Sequence, residues 1–108
     1  MKLLEFVPYL THPHRLSELY RQRGIDQETE SLSIYMQDVI SLDSDIRLFT
    51  DEEVDGEAHV TVDGISYKEM LPVDLALGLI ETDASLQHPT VTDLARAERI
   101  IEYSLYDA

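Results

Sequence analysis

The spacing of apolar residues divides the chain into segments of different period, and each period predicts a kind of element. In Lys2–Val7, the strand formers Leu3, Phe6 and Val7 precede Pro8, which ends the run, so a short strand is expected, with a helical turn as its competitor. Leu16, Leu19 and Tyr20 then share one helical face. Thr11 or His12 is placed to cap that helix, Pro13 sits in its first turn, Arg21 and Arg23 lie at the negative end of its dipole, and Gly24 stops it. Ile25 follows where a residue often packs back on the last turn, and Asp26 is placed to cap a second helix. In that second segment Leu32, Tyr35, Met36, Val39 and Ile40 recur at helical spacing, predicting an amphipathic helix that runs to about Ser41. Leu32, Ile34 and Met36 also alternate, so a strand competes, but the pattern outlasts a typical strand and favours the helix. Asp43-Ser44-Asp45 reads as a turn.

From Ile46 the period changes to that of strands. Ile46–Phe49 predicts one strand, and Ala58–Val62 and Ile65–Tyr67 flank a two-residue Asp63-Gly64 loop. Asp-Gly between β-branched runs favours a type I′ hairpin, because both turn residues take positive φ and the turn's twist matches that of the strands. Pro72 then opens a helix with Leu75, Ala76, Leu79 and Ile80 on one face, and Thr90 or Thr92 is placed to cap a last helix carrying Leu94, Ala97, Ile101 and Leu105. Both helices are expected to pack on the sheet. The expected architecture is α+β: about four helices on a small, mainly antiparallel sheet containing the Asp63-Gly64 hairpin. No internal repeat or linker interrupts the pattern, so residues 1–108 are expected to form one domain.

Charge adds a feature that the hydrophobic pattern does not carry. Twenty-two acids against eight bases leave a formal charge of −14, yet 44% of the 108 residues are hydrophobic and spread along the chain, which excludes a disordered acidic tail. A domain of this size buries roughly two-thirds of the surface its unfolded chain exposes, enough for a core with no metal or disulfide staple. There is no cysteine, which removes disulfides, thiolate nucleophiles and cysteine-ligated zinc together. Glu5 and Pro8 break the apolar runs of the N-terminus, so no signal-peptide core is expected there, and a cytoplasmic location follows as the expectation. The most apolar stretch, Leu71–Ile80, is interrupted by Pro72 and Asp74 and falls short of a membrane span.

Thirteen of the 22 acids lie between Asp38 and Asp83 against only Arg47 and Lys68, so that stretch carries −11 of the −14. Its densest part, Asp51-Glu52-Glu53-Val54-Asp55-Gly56-Glu57, must be solvated, since carboxylates packed this closely repel one another. Such a field repels phosphate backbones and anionic lipid headgroups and attracts basic protein, so neither nucleic acid nor membrane is the expected partner. The candidate partner-binding residues are Asp43, Asp45, Asp51, Glu52, Glu53, Asp55 and Glu57, against the plainer reading of a solubilising loop.

Other chemistry is weakly signalled. Asp51, Glu53, Asp55 and Gly56 match the first half of a calcium loop, but Val62 stands where a bidentate glutamate is required and the flanks read as strands. His12 and His14, even with Glu18, have no metal-ligand spacing of note, and His59 and His88 stand alone. No nucleophile elbow, phosphate loop or His-Glu-x-x-His helix frames a catalytic set, so no catalytic residue, cofactor or metal is assigned and no enzymatic activity is expected. Tyr9, Tyr103 and Tyr106 are expected at the rim of the core. The expected function is that of an acidic protein-binding inhibitor, of the bacterial immunity or antitoxin type, which neutralises a basic, nuclease-like toxin by direct binding. The competing reading is a non-catalytic accessory or structural subunit that self-associates into a homo-oligomer through the apolar face of its last helix.

Overall fold

The structure, a computed structural model, describes residues 1–24 and 32–106. Two helices open the chain, α1 (Leu3–Thr11) and α2 (Pro13–Gln22), followed by strands β1 (Leu32–Gln37) and β2 (Ile46–Thr50). A single helical turn, α3 (Asp51–Val54), leads to the hairpin of β3 (His59–Val62) and β4 (Ile65–Pro72). Helices α4 (Val73–Thr82), α5 (Ala84–Gln87) and α6 (Asp93–Tyr106) complete the described chain. The four strands form one antiparallel sheet in the order β2-β1-β4-β3, so the α+β architecture read from the sequence holds, with four longer helices and two of one turn among the described residues.

The hairpin forms as its turn chemistry dictates. Asp63 (φ 54°) and Gly64 (φ 80°) both take positive φ, and Val62 pairs with Ile65. Helix α2 also follows the sequence, starting at Pro13 and ending before Gly24 (φ 69°). Thr92, not Thr90, caps α6 by accepting a hydrogen bond from the Ala95 N–H at 3.1 Å. The expected packing of Ile25 and capping by Asp26 lie outside the described residues.

Two expectations of secondary structure are corrected. Lys2–Val7 is not a strand: Leu3, Phe6, Val7 and Leu10 form the buried stripe of α1, at the i, i+3, i+4, i+7 spacing of a helix. Pro8 lies inside α1 instead of ending it. The carbonyl it leaves without an intrahelical donor belongs to Leu4, which is 42% exposed, so water can reach that side of the helix. The segment from Leu32 is a strand and not a helix. β1 lies between β2 and β4 with apolar residues on both faces, so five consecutive positions, Leu32–Met36, are buried and the simple alternation of a half-buried strand is masked.

Residues directly opposite one another in a sheet share a face. One face carries Ile34 and Met36 with Leu48 and Leu71, and meets α1, α2, α4 and α6 in the main core. A bulge between Ile34 and Tyr35 inserts Met70 into β4, so that Met70 joins this core while Tyr67 and Glu69 stay aligned with the other face. That second face holds a separate aromatic cluster of Tyr35, Phe49 and Tyr67 with Val54. The Tyr35 and Phe49 rings meet edge-on at 5.2 Å, Phe49 and Tyr67 at 5.5 Å, and the Arg47 guanidinium lies 4.8 Å from the Phe49 ring centre.

The apolar faces of the last helices are also partly reassigned. In α4 the buried residues are Val73, Ala76 and Ile80, while Leu75 is 49% exposed. In α6 they are Ala97 and Ile100, and Leu94 and Leu105 stand exposed. Tyr9 and Tyr103 are half-buried against the core, as expected of rim tyrosines, but Tyr106 is 79% exposed.

Candidate protein-binding surface

The acidic segment after β2 has to reach β3, which lies at the opposite edge of the sheet. It does so across the second sheet face. Val54 is buried in the aromatic cluster, and the Tyr35 hydroxyl donates to the Glu57 carbonyl at 2.5 Å. The crossing is built locally by a capping box: the Glu53 N–H donates to Thr50 Oγ1 (3.2 Å) and the Thr50 N–H donates to Glu53 Oε1 (2.9 Å). Asp51, Glu52 and Glu53 therefore occupy the first turn of α3, where the positive end of the peptide dipoles favours carboxylates. Asp55 (φ 50°) and Gly56 (φ 70°) take left-handed backbone to end the turn, and the Gly56 and Glu57 N–H groups donate to the Asp51 and Val54 carbonyls. The segment is thus an anchored acidic corner with its own cap, turn and hydrophobic foot.

The seven candidate acids fall into two groups. Asp51, Glu52, Glu53, Asp55 and Glu57 lie on this corner and are exposed, although one Glu53 oxygen is engaged in the cap. Asp43 and Asp45 lie before the other end of β2, about 20 Å of extended chain away. There the chain's first residues clamp the edge of the sheet. The Ile46 N–H donates to the Met1 carbonyl (2.7 Å), Lys2 Nζ donates to the Asp43 carbonyl (2.6 Å), and Asp45 Oδ1 faces the terminal ammonium at 3.8 Å and Lys2 Nζ at 3.6 Å. Asp45 is thus paired with two cations, whereas among the described residues Asp51, Glu52, Glu53, Asp55 and Glu57 are exposed and form no ion pair.

Glu69 belongs with the corner and was missed from the sequence. Its Oε2 accepts from the Tyr35 hydroxyl at 3.1 Å. Burial first, then the Glu69 carboxylate by charge and hydrogen bond, then Asp51 and Glu57 push the Tyr35 pKa up from 10.0 to about 12, so the hydroxyl stays a donor throughout the physiological range. The signal for Glu69 was present in the hairpin: a two-residue turn at Asp63-Gly64 counts outward to set Ala58 against Glu69, whose N–H indeed donates to the Ala58 carbonyl (2.8 Å).

Other candidate chemistry does not assemble. Asp51 and Glu53, half of the calcium-loop pattern, sit in a helical turn, and Glu53 Oε1 is turned back to the Thr50 amide. The His12 and His14 rings meet edge-on at 6.0 Å, and His12 Nδ1 lies 3.0 Å from Thr11 Oγ1. Among the described residues no group of three or more histidines and carboxylates is placed to hold a metal ion, and no helix is long and apolar enough to cross a membrane. On the helical side a groove of about 250 Å³ is lined by Leu75, Gly78, Leu79, Thr82 and Tyr103. Comparison with protein-family models, curated proteins and solved structures finds no match for this chain.

Proposed function

We propose that the chain is a protein-binding inhibitor of the bacterial immunity or antitoxin type, acting in the cytoplasm by covering the nucleic-acid-binding surface of a basic, nuclease-like toxin. It acts by docking, without chemistry of its own. The observation that supports this reading best is the anchored corner: Asp51, Glu52, Asp55 and Glu57 are exposed on a segment held by the Thr50–Glu53 capping box, Val54 and the Tyr35 hydroxyl. Charges held on a preorganised segment lose less entropy on docking than the same charges on a loose loop. A negative surface of this kind mimics the phosphates that a nuclease site attracts, and it steers the encounter before contact.

The test is stopped-flow association of a basic, nuclease-type toxin domain with the wild-type chain and with a variant carrying Asp51→Asn, Glu52→Gln, Asp55→Asn and Glu57→Gln. Association of the variant is expected to slow by about tenfold or more at low salt, with the two converging at high salt and dissociation changing much less. Equal association rates at low salt would refute the reading.

The second reading, an accessory subunit that self-associates, is favoured by the exposure of Leu94, Leu105 and Tyr106 on α6 and of Leu75 beside the α4–α6 groove. Self-association through that face would change little with ionic strength, which separates it from the acidic corner.

A further inference from the structure

The outer edge of β3 carries no strand among the described residues, since β3 stands last in the sheet and pairs with β4 alone. The turn at Asp63-Gly64 sets which of its groups face outward. In a two-residue hairpin the closing pair exchanges backbone hydrogen bonds and alternate pairs follow, so Val62 with Ile65 and Val60 with Tyr67 form the bonded pairs. The N–H and C=O groups of His59 and Thr61 therefore point away from β4, and both residues are exposed. An open edge is a template for another strand, and proteins usually blunt it with lysine, proline or a bulge. β3 has none of these, and acids flank it instead: Asp63 at the tip, Asp55 and Glu57 at the other end.

We propose that the β3 edge receives an extended basic segment of the partner protein, which adds to the sheet as a further strand beside His59–Val62. This inference rests on the reading of the chain as a binder of basic protein and says where and how that partner is held. Charge decides the occupant. In an antiparallel pairing of two copies with His59 facing Thr61, Asp63 of each would come beside Glu57 of the other, setting like charges together in a chain that already carries −14. Lys or Arg at the same places in a partner strand makes both contacts attractive. Val60 and Val62 pack toward the aromatic cluster on the second sheet face, so the incoming strand is expected to place apolar side chains beside them. Counted from its residue beside Asp63, the matching segment is basic at its first and seventh positions, apolar at its second and fourth, and free of proline.

The test uses the full chain and fluorescence anisotropy with the synthetic peptide Arg-Val-Thr-Val-Ser-Thr-Arg. It is compared with a version carrying Glu for Arg, and with one N-methylated at its third and fifth amides, which would pair with Thr61 and His59. The parent peptide is expected to bind, the Glu version to show no binding, and methylation to weaken binding by at least about tenfold through loss of ladder hydrogen bonds at unchanged charge. Thr61→Pro, which removes an outward N–H and leaves the β4 ladder intact, is expected to weaken the parent peptide similarly, with circular dichroism confirming the fold. Equal binding of the parent and methylated peptides would overturn the edge proposal while leaving the acidic-corner reading intact. Failure of the parent peptide to bind would overturn it too, whereas the corner reading fails separately, in the association rates of its amide variant. A dimer in sedimentation velocity that Thr61→Pro dissolves would assign the edge to a second copy and likewise overturn the proposal.

Discussion

Tyr35→Phe tests the joint between the sheet and its acidic corner. The side chain is fully buried, and its hydroxyl donates to the Glu57 carbonyl at 2.5 Å and lies 3.1 Å from Glu69 Oε2. One proton serves both acceptors, so the substitution removes one shared hydrogen bond, part of it to a charged group, and leaves a carbonyl and a carboxylate facing an apolar ring. The cost is about 2 kcal/mol, within the range of roughly 1–3 kcal/mol for such losses. Urea unfolding is expected to show a midpoint lower by about 1–2 M at unchanged slope, and thermal unfolding a midpoint lower by about 10 °C. The gap between the two proteins is also expected to depend on pH. Above pH 10 the unfolded chain releases the Tyr35 proton, while the folded chain holds it until about pH 12. The unfolded state then binds fewer protons, so the wild type loses stability across that window, and the variant has no Tyr35 proton to lose. Tyr20, whose pKa burial and Asp74 raise to about 12, contributes equally to both proteins and cancels in the comparison. The gap is therefore full below pH 10 and narrows toward pH 12. Equal stability at neutral pH, or a gap that stays constant through the alkaline window, would refute the role given to this hydroxyl.

Thr50→Ala removes one arm of the capping box on α3 and is expected to cost about 1 kcal/mol in urea unfolding, with no loss of sheet signal in circular dichroism. Ile100→Ala is expected to cost about 2–5 kcal/mol and Leu105→Ala less than about 0.5 kcal/mol, because only Ile100 is inside the core; similar costs would mean that α6 presents the opposite face. Treatment with a chelator is expected to leave circular dichroism and the thermal midpoint unchanged, since the core is built from side chains alone.

What the sequence determined by itself is local. The Asp63-Gly64 hairpin follows from the need for positive φ at two adjacent residues, and α2 follows from Pro13 at its start and Gly24 just past its end. The acidic character of the corner is likewise written in consecutive residues. Tertiary structure decided the rest, because it depends on what each face meets. Pro8 reads as a terminator until Leu3, Phe6, Val7 and Leu10 are seen packed in the core as one helical stripe. Leu32–Met36 reads as a helix until neighbours on both sides and both faces bury these five consecutive residues of a central strand. No local signal separates Asp43 and Asp45, clamped by Lys2 and the N-terminus, from Asp51–Glu57, held over the sheet by Tyr35 and Val54. Charge counts add along a chain, but the surface they make is set by the strand order, which sends the segment after β2 across the sheet to β3 and joins Glu69 to it.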